Sequence, residues 1–274
     1  MPARTQEIEL RLLMDAIYHR FHFDFRGYAP ASLKRRMQAA MTQFGCASLS
    51  QLQHRVLHEE AVFPALLDYL TVQVSEMFRD PGYFLALRRE VVPLLRTYPS
   101  LKIWVAGCSG GEEVYSLAVL LHEEGLLERS LIYATDINPH ALRRAEAGIF
   151  DLERIASFTL NHQRSGARGS LSDYYTAAYG RAVFDKRLRE HMVFSDHSLA
   201  TDSVFAEVQL VSCRNVLIYF ERALQDRALG LFRDALCRKG FLGLGSKESL
   251  RFSASADAFA DFVRDERIFQ KVGS

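Results

Sequence analysis

From Leu101 onward, short apolar runs alternate with stretches of helical periodicity, and this alternation constrains the fold most strongly. The run "LKIWVAGC" places Ile103, Trp104 and Val105 in succession, as in a strand buried on both faces. "LIYATDI", "HMVFSD", "EVQLVSCRN" and "GFLGLGS" are further runs of this kind, and "RIFQKV" is predicted to be an edge strand. Strands separated by helices favour an α/β fold with a doubly wound, mostly parallel sheet covered on both faces.

The first part of the chain has only helical patterns. "EIELRLLMDAIYHRF" repeats apolar residues at helical spacing from Ile8, and "SLKRRMQAAMTQFG" opens on Ser32, a good N-cap. We predict a small all-helical domain over residues 1–80 and a larger α/β domain over residues 81–274. The basic run at 34–36 is most simply a solvated helix face, and the alternative is a docking patch for an acidic partner.

The alternation is interrupted between Phe150 and about Glu190. "NHQRSGARGSLSD" is polar and contains glycine, which is typical of a loop. "YYTAAYGRAVFDKRLREH" has aromatic residues around a turn at Gly180. We therefore predict a small β-subdomain inserted at about 170–192.

Composition excludes several classes of protein. The 34 Lys and Arg residues nearly balance the 33 Asp and Glu residues, which gives no general attraction to nucleic acid or anionic membrane. No stretch approaches the roughly 20 apolar residues that span a bilayer, and the N-terminus lacks the apolar core of a secretion signal. The four cysteines form no CxxC pair and the nine histidines show no HExxH spacing, so we expect a reduced cytoplasmic setting and no metal.

The turn "VAGCSGGEE" follows the first strand, where open parallel sheets bind ligands. Gly107, Gly110 and Gly111 do not follow GxGxxG, which disfavours a nicotinamide dehydrogenase, and no P-loop lysine follows them. Glu112 and Glu113 stand there instead, and they would repel phosphate but attract a cation. S-adenosylmethionine fits, because it carries a sulfonium, an ammonium and an adenosine but no phosphate. The helix dipole alone could explain one of the two glutamates.

The second strand ends in "ATDIN", which offers a candidate for the ribose. Asp136 stands about 20 residues after the glycine turn, the usual place of a ribose-binding carboxylate. Asp136 could equally cap the following helix. Asn138, immediately before Pro139, is the better cap candidate and would leave Asp136 for the ribose.

The run "SCRNVLIYF" ends a later buried strand with an Arg-Asn pair. Such a pair is costly to bury unless it has partners or a task. The run lacks the Asn-Pro-Pro-Tyr signature typical of methyltransferases that act on amino groups of nucleic acids. Chemistry on base amino groups is therefore disfavoured.

Five motifs in this order resemble the CheR family of chemotaxis receptor methyltransferases: "SEMFRD", "VAGCSGGEEVYSLA", "ATDIN", "SCRNVLIYF" and "GLGSKESL". The resemblance covers nearly the whole chain and implies the fold of S-adenosylmethionine-dependent methyltransferases. It implies methyl transfer from S-adenosylmethionine to glutamate side chains on the cytoplasmic helical domain of a methyl-accepting receptor. The products would be glutamyl methyl esters and S-adenosyl-L-homocysteine, and we expect a monomer that binds no nucleic acid and does not insert into a membrane.

The resemblance also assigns site residues, one motif position at a time. The implied cofactor-binding residues are Gln73, Ser75, Arg79, Gly107, Glu113, Asp136, Ser198, Leu199, Asn215 and Val216. Glu113 would hold the methionyl amino end and Asp136 the ribose, while the last four residues of that list would border the adenosine. Arg79 and Tyr219 would lie near the transferred methyl and are the catalytic candidates; an apolar anchor is an equal interpretation of Tyr219.

The sequence also departs from the family pattern. Gln73 stands where Asn is frequent, Ser75 where Thr is frequent, and Ser198 where another Asn is common. These side chains keep their hydrogen-bonding ability, but they motivate an alternative, a cofactor-binding signalling module without efficient methyl transfer. Some members dock a short receptor-tethered peptide on the inserted β-subdomain, and the sequence shows no recognisable dock of this kind.

The chemistry that the resemblance implies needs few groups. A glutamate side chain is ionised at neutral pH, since its reference pKa is about 4.3, so it needs no general base. The fork of an arginine matches a carboxylate, and Arg79 is therefore the candidate that would orient the incoming substrate.

Overall fold

The computed structural model describes residues 3–251 and 253–273. These residues form two compact units rather than two successive stretches of chain. The first unit comprises Met1–Gln73, Ser198–Asp202 and Tyr219–Ala228, and the second comprises Val74–His197, Ser203–Ile218 and Leu229–Ser274. Short segments of the C-terminal part thus complete the N-terminal unit, which a single boundary near residue 80 does not describe.

The first unit is built around four helices: α1 (Ala3–Phe21), α2 (Pro30–Phe44), α3 (Leu49–His58) and α4 (Val62–Leu70). The helical spacing predicted for α1 is confirmed at Leu13 and Ile17, which are fully buried. Ile8 lies on the same helix, but its side chain is 45% exposed. Burial of one apolar stripe is the main source of stability for helices of this length.

The start of α2 differs from the sequence prediction. Ala29 precedes the helix and Pro30 occupies its first turn, so Ser32 is not the N-cap. Proline is favoured at the first helical position because its φ is already helical. An N–H at that position would have no partner within the helix, so its absence costs nothing. The hydroxyl of Ser32 instead accepts from Nη2 of Arg36 at 2.6 Å.

The basic run on α2 is not a uniform surface. Arg36 is buried, donates to the carbonyl of Leu70 and stacks on the ring of Tyr219, with 4.8 Å between Cζ and the ring centroid. Lys34 pairs with Glu7 at 2.7 Å, while Arg35 is exposed. Only part of the predicted solvated face is therefore solvated.

The second unit contains the remaining helices and all the strands. The helices are α5 (Pro81–Ala86), α6 (Val92–Leu95), α7 (Glu112–Glu123), α8 (Pro139–Ala147), α9 (Ile155–Arg164), α10 (Lys186–Arg189) and α11 (Arg222–Ala235), of which α11 begins in the first unit. A π-helical turn, Leu87–Val91, joins α5 to α6. The strands are β1 (Leu101–Ala106), β2 (Ser130–Asp136), β3 (Ile149–Asp151), β4 (Tyr175–Ala178), β5 (Arg181–Phe184), β6 (Met192–Asp196), β7 (Val208–Cys213), β8 (Leu236–Leu244), β9 (Phe259–Val263) and β10 (Ile268–Lys271).

The main sheet has seven strands in the order β6-β2-β1-β7-β8-β10-β9. The first five are parallel to one another, and β10 is antiparallel to both of its neighbours. Strand β1 lies near the centre and is buried at every position except Lys102. The predicted doubly wound, mostly parallel sheet is confirmed, and its order reverses between β1 and β7, which places the switch point at the glycine turn.

Two details of the sheet differ from the sequence prediction. "RIFQKV" supplies β10, which is not an edge strand, because β9 pairs on its outer side. The pattern of "ERALQDRALGLFRDALCRKG" predicts a helix that continues to about Gly240, but α11 ends at Ala235 and Leu236 already pairs with Val208 of β7. Burial beside a central strand outweighs the local helix preference there.

A separate three-stranded antiparallel sheet, in the order β3-β5-β4, forms the small β-subdomain. Strands β4 and β5 lie within the 170–192 insertion, and β3 joins them from Ile149–Asp151. Its inner face carries Phe150, Ala182 and Phe184, which belong to the core of the second unit. Among the described residues, no helix is long and apolar enough to cross a membrane.

A candidate cofactor site at the carboxyl edge of the sheet

The glycine turn after β1 is held by main-chain contacts to β2. The amides of Gly107 and Cys108 both donate to the carbonyl of Thr135, at 2.8 and 2.9 Å. Gly107 has φ +74°, and a Cβ there would approach Cγ2 of Val216 to 2.5 Å. Glycine is therefore required for the close packing of this turn against the loop that follows β7.

Asp136 at the end of β2 fixes the same turn with its carboxylate. Oδ2 accepts from the amide of Ser109 at 2.9 Å, and Oδ1 accepts from the amide of Asn138 at 2.9 Å. Burial raises the pKa of Asp136 above its ordinary value, while hydrogen bonds from the backbone oppose this shift. Asn138 caps α8 through its side chain, as predicted. The carboxylate thus has a structural task, and the ribose role remains a prediction that its remaining lone pairs allow.

Glu113, in the first turn of α7, is bound by two side chains from β7 and the residue after it. Oε1 accepts from the hydroxyl of Ser212 at 2.7 Å, and Oε2 accepts from Nη1 of Arg214 at 3.1 Å. The Tyr83 hydroxyl lies 2.9 Å from that of Ser212, and burial raises the pKa of Tyr83, which keeps its proton available. The side chain of Glu113 is 13% exposed, so it keeps a face toward solvent.

Arg214 also reaches the irregular 75–80 segment, which carries the "SEMFRD" motif. Its Nη2 donates to the carbonyl of Arg79 at 2.9 Å and to Oδ2 of Asp80 at 2.8 Å. The guanidinium stacks on Tyr83, with 4.2 Å between Cζ and the ring centroid, and its side chain is 1% exposed. The sequence argument that a buried Arg-Asn pair needs partners is confirmed for the arginine.

Glu112 is also linked to the 75–80 segment through an arginine. Its Oε1 accepts from Nη1 of Arg154 at 2.8 Å, and Nη2 of Arg154 donates to the carbonyl of Ser75. Oε2 of Glu112 is buried without a hydrogen-bond partner among the described residues. Both glutamates of the turn are therefore engaged by arginines, which the helix dipole alone does not explain.

The 75–80 segment is fixed at further points along its main chain. The amide of Phe78 donates to the hydroxyl of Ser116 at 2.8 Å, and the side-chain amide of Asn161 donates to the carbonyl of Met77 at 3.2 Å. Phe78 and Asp80 have φ of +51° and +54°, conformations that cost non-glycine residues free energy and persist where the surroundings impose them. The half-buried Arg79 side chain has no ion pair within the described residues.

These residues fit the chemistry of S-adenosylmethionine. Glu113 and Asp136 offer carboxylate oxygens at the edge of the sheet, suited to an ammonium and to hydroxyls. The glycine turn contains no lysine or arginine, and the charge of Arg214 is balanced by Glu113 and Asp80. Cys108 of the turn is buried, and burial raises the pKa of its thiol, which disfavours a nucleophilic role.

The structure brings one group of the predicted site residues together within the second unit. It comprises Ser75, Arg79, Gly107, Glu113, Asp136, Asn215 and Val216. The loop after β7 places Val216 against Gly107, and Arg214 links Glu113 to the backbone of Arg79.

The other predicted residues, Gln73, Ser198, Leu199 and Tyr219, are assigned to the first unit. Gln73 donates to the hydroxyl of Thr71 at 2.9 Å, and the amide of Ser198 donates to Asp202 at 2.9 Å. The carbonyl of Tyr219 accepts from the amide of Ala29 at 2.8 Å. Their predicted roles toward the cofactor remain predictions.

Sequence reasoning missed the contacts of Arg154 and Arg214, and also those of Glu248, which accepts from the amides of Asn215 and Gly245. Arg214 was noticed only as a costly residue without a named partner, and Glu248 only as a letter of "GLGSKESL". Arg154 gave no signal, since it ends a short 3-10 turn and lies 79 residues along the chain from the carbonyl that it holds.

Comparison with known proteins identifies the family. A family model described as "CheR methyltransferase, SAM binding domain" matches residues 73–264, and one described as "CheR methyltransferase, all-alpha domain" matches residues 8–71. The chain is 60% identical to "Putative methyltransferase Cher3" of Pseudomonas putida over 98% of both chains. It is 27% identical to "Chemotaxis protein methyltransferase" of Listeria innocua, over 83% of this chain and 84% of the relative. It is 30% identical to "Chemotaxis protein methyltransferase 1" of Vibrio cholerae over 80% of both chains.

The stretch that matches the SAM-binding domain, residues 73–264, contains the glycine turn, Glu113, Asp136 and the loop after β7. The carboxylates and close-packed backbone at this edge therefore belong to an S-adenosylmethionine-binding domain. The chain belongs to the CheR family of S-adenosylmethionine-dependent chemotaxis methyltransferases, and it contains both the all-α and the cofactor-binding domain of that family.

Proposed function

We propose that this chain is a protein-glutamate O-methyltransferase. Its substrates would be glutamate side chains on the cytoplasmic helical domain of a methyl-accepting receptor, and its products glutamyl methyl esters. The proposal is supported by relatives whose names describe chemotaxis protein methyltransferases. It is also supported by the chemistry of the 75–80 segment.

The observation that carries the proposal is the contrast between the backbone and the side chain of Arg79. Its carbonyl is held by Arg214 at 2.9 Å, whereas its half-buried guanidinium has no ion pair within the described residues. A guanidinium offers five N–H donors in a fork that matches a carboxylate. Arg79 is therefore suited to bind and orient an incoming glutamate.

The proposed reaction asks mainly for placement. S-adenosylmethionine supplies an electrophilic methyl group when it is bound. The substrate carboxylate is already ionised at neutral pH, so no residue has to remove a proton from it. Arg79 would orient the substrate carboxylate so that one of its oxygens faces the methyl group of the donor. Glu113 would bind the ammonium group of the donor. Orientation of this kind is a large source of rate acceleration.

Tyr219 is the second catalytic candidate, and we propose that it helps to orient the reacting groups during methyl transfer. Its ring lies under Arg36, which is a cation–π contact and fixes the plane of the ring. The two earlier interpretations, an active-site tyrosine and an apolar anchor, predict different effects of Tyr219→Phe: a loss of rate in the first case and none in the second.

The test is methylation of receptor cytoplasmic fragments with a methyl-labelled donor. We expect base-labile label that is released as methanol. We expect Arg79→Ala to reduce transfer at least 100-fold (about 2.7 kcal/mol at 1.36 kcal/mol per tenfold change) with unchanged thermal unfolding. Arg89→Ala is the matched control, because Arg89 is an exposed arginine ten positions further along.

Three results would contradict the proposal. Base-stable label would indicate methylation of nitrogen, and full activity of Arg79→Ala would remove the role of that guanidinium. Tight binding of S-adenosylhomocysteine by calorimetry, together with no label on any receptor fragment, would favour the alternative of a cofactor-binding signalling module.

A further inference from the structure

We propose that Glu248 is a positioning residue that shapes the adenosine side of the cofactor site. The inference rests on the proposed function in one respect, namely that Asn215 and Val216 border the adenosine. Glu248 belongs to the "GLGSKESL" motif and lies in the loop that follows β8. None of the proposed chemical steps uses it.

The Glu248 carboxylate is surrounded by main-chain amides. Its Oε2 accepts from the amides of Gly245 at 2.7 Å and Asn215 at 2.9 Å. Its Oε1 accepts from the amide of Ile218 at 3.3 Å, and the amide of Leu217 also contributes a hydrogen bond. One side chain thus binds the amides of Asn215, Leu217 and Ile218 in the turn that follows Arg214.

Glu248 lies in a place that only a carboxylate fills well. The residue is 4% exposed. An ionised carboxylate has about four acceptor sites and no donor, which matches four converging N–H groups. A glutamine would present its NH₂ group to some of these amides, so the turn would have to move or leave donors unpaired.

The packing around Glu248 leaves little freedom. A Cβ on Gly245 would lie 2.8 Å from the amide nitrogen of Asn215 and 2.8 Å from Oε2 of Glu248. Asn215 has φ +61°, a conformation that is unfavourable for a side-chain-bearing residue and that its bound amide helps to impose. The absence of a side chain at Gly245 leaves room for the Glu248 carboxylate, and this carboxylate binds the amide of Asn215.

The 215–218 turn packs against the glycine turn after β1, so the position of the first affects the second. Val216 directly follows Asn215, and its Cγ2 occupies the space that a Cβ on Gly107 would need, at 2.5 Å. A shift of the 215–218 turn therefore moves the apolar wall beside Gly107. Arg214 precedes Asn215 in the chain, and Glu113 and Arg214 have contacts of their own, to Ser212 and Asp80 respectively. Glu248 should accordingly control the adenosine side of the site and leave the methionyl side intact.

Calorimetry with two ligands separates these sides. S-adenosylhomocysteine carries both the adenosine and the amino-acid end, whereas 5′-methylthioadenosine lacks the amino-acid end. We expect Glu248→Gln to weaken both ligands by a similar factor of about 10. We expect Glu113→Gln to weaken S-adenosylhomocysteine at least 10-fold and methylthioadenosine less than 2-fold. Lys247→Gln is the matched control, since Lys247 is exposed on the same loop.

The proposal fails if Glu248→Gln weakens only S-adenosylhomocysteine, if it weakens neither ligand, or if Lys247→Gln has the same effect. Thermal unfolding of the ligand-free variants accompanies the titrations. If Glu248→Gln and Glu248→Asp both unfold before ligand can be added, the role is purely structural and the proposal is likewise overturned.

The outcome is independent of the receptor. Wild-type protein that binds S-adenosylhomocysteine but methylates no receptor would contradict the proposed substrate, while the comparison of the two ligands would still decide the role of Glu248. Wild-type protein that does not bind S-adenosylhomocysteine would contradict the cofactor assignment itself.

Discussion

Two neighbouring glutamates at the start of α7 make the same kind of connection at different depths. Glu112 binds Arg154, which holds the carbonyl of Ser75; Glu113 binds Arg214, which holds the carbonyl of Arg79. The Arg154 side chain is 36% exposed, whereas the Arg214 side chain is 1% exposed. The two links tie both ends of the 75–80 segment to one helix turn.

The difference in depth matters more than the similarity in contacts. An ion pair in contact with water gains little, because solvent screens it and its side chains lose freedom. A buried pair gains little as a whole, but removal of one partner leaves an uncompensated charge at high cost. The inner link at Arg214 should therefore be hard to break, and the outer link at Arg154 should be adjustable.

The largest effect is expected for Arg214→Met. This change removes a buried guanidinium together with its contacts to Glu113, Asp80 and the carbonyl of Arg79, and we expect a loss of about 3–5 kcal/mol in the free energy of unfolding. Urea titration measures it, with the exposed Arg89→Met as control. An unchanged urea midpoint would mean that Glu113 and Asp80 take up protons or water at no cost. The buried Arg214 link would then be no more important for stability than the exposed Arg154 link.

A smaller effect is expected for Arg154→Met. Glu112 loses its partner, but the Arg154 side chain that is removed is 36% exposed, so water can reach the carboxylate in its place. We therefore expect a loss of about 1–2 kcal/mol in the same titration. The released Ser75 carbonyl should raise the exchange rate of nearby amide hydrogens in the 75–80 segment. A cost equal to that of Arg214→Met would show that burial does not distinguish the two links.

The smallest effect is expected for Lys34→Met, which removes an exposed ion pair in the first unit. The side chains of Lys34 and Glu7 are 33% and 60% exposed, although their atoms approach to 2.7 Å. We expect no measurable change in the urea midpoint at physiological salt, because solvent screens this pair. A clear loss of stability would contradict the ranking by depth.

The fold could be predicted from the sequence because it depends on local patterns. The apolar runs of β1, β2, β6 and β7 and the cap at Asn138 carry their own signals over a few residues. The end of α11 at Ala235 could not be predicted, because pairing with β7 decides it. The edge prediction for β10 failed for the same reason, since only the assembled sheet shows that β9 lies outside it.

The candidate site was predictable in its residue types and less so in its partners. The paired glutamates lie beside the glycine turn, as the sequence indicates, and their role toward the cofactor remains a prediction. However, Asp80 lies 134 residues before Arg214 in the chain, and no periodic pattern records contacts of that range. The task of Asp136 in binding the amide of Ser109 was also invisible, because it depends on the path of the main chain in the turn.

Both arginines hold the 75–80 segment by its carbonyl oxygens. Every amino acid supplies the same carbonyl, so these two contacts do not depend on the side chains of Ser75 and Arg79. A change of the Ser75 side chain would therefore leave the contact between its carbonyl and Arg154 in place. The main chain at Arg79 is likewise held by a contact that leaves the guanidinium of Arg79 unengaged among the described residues.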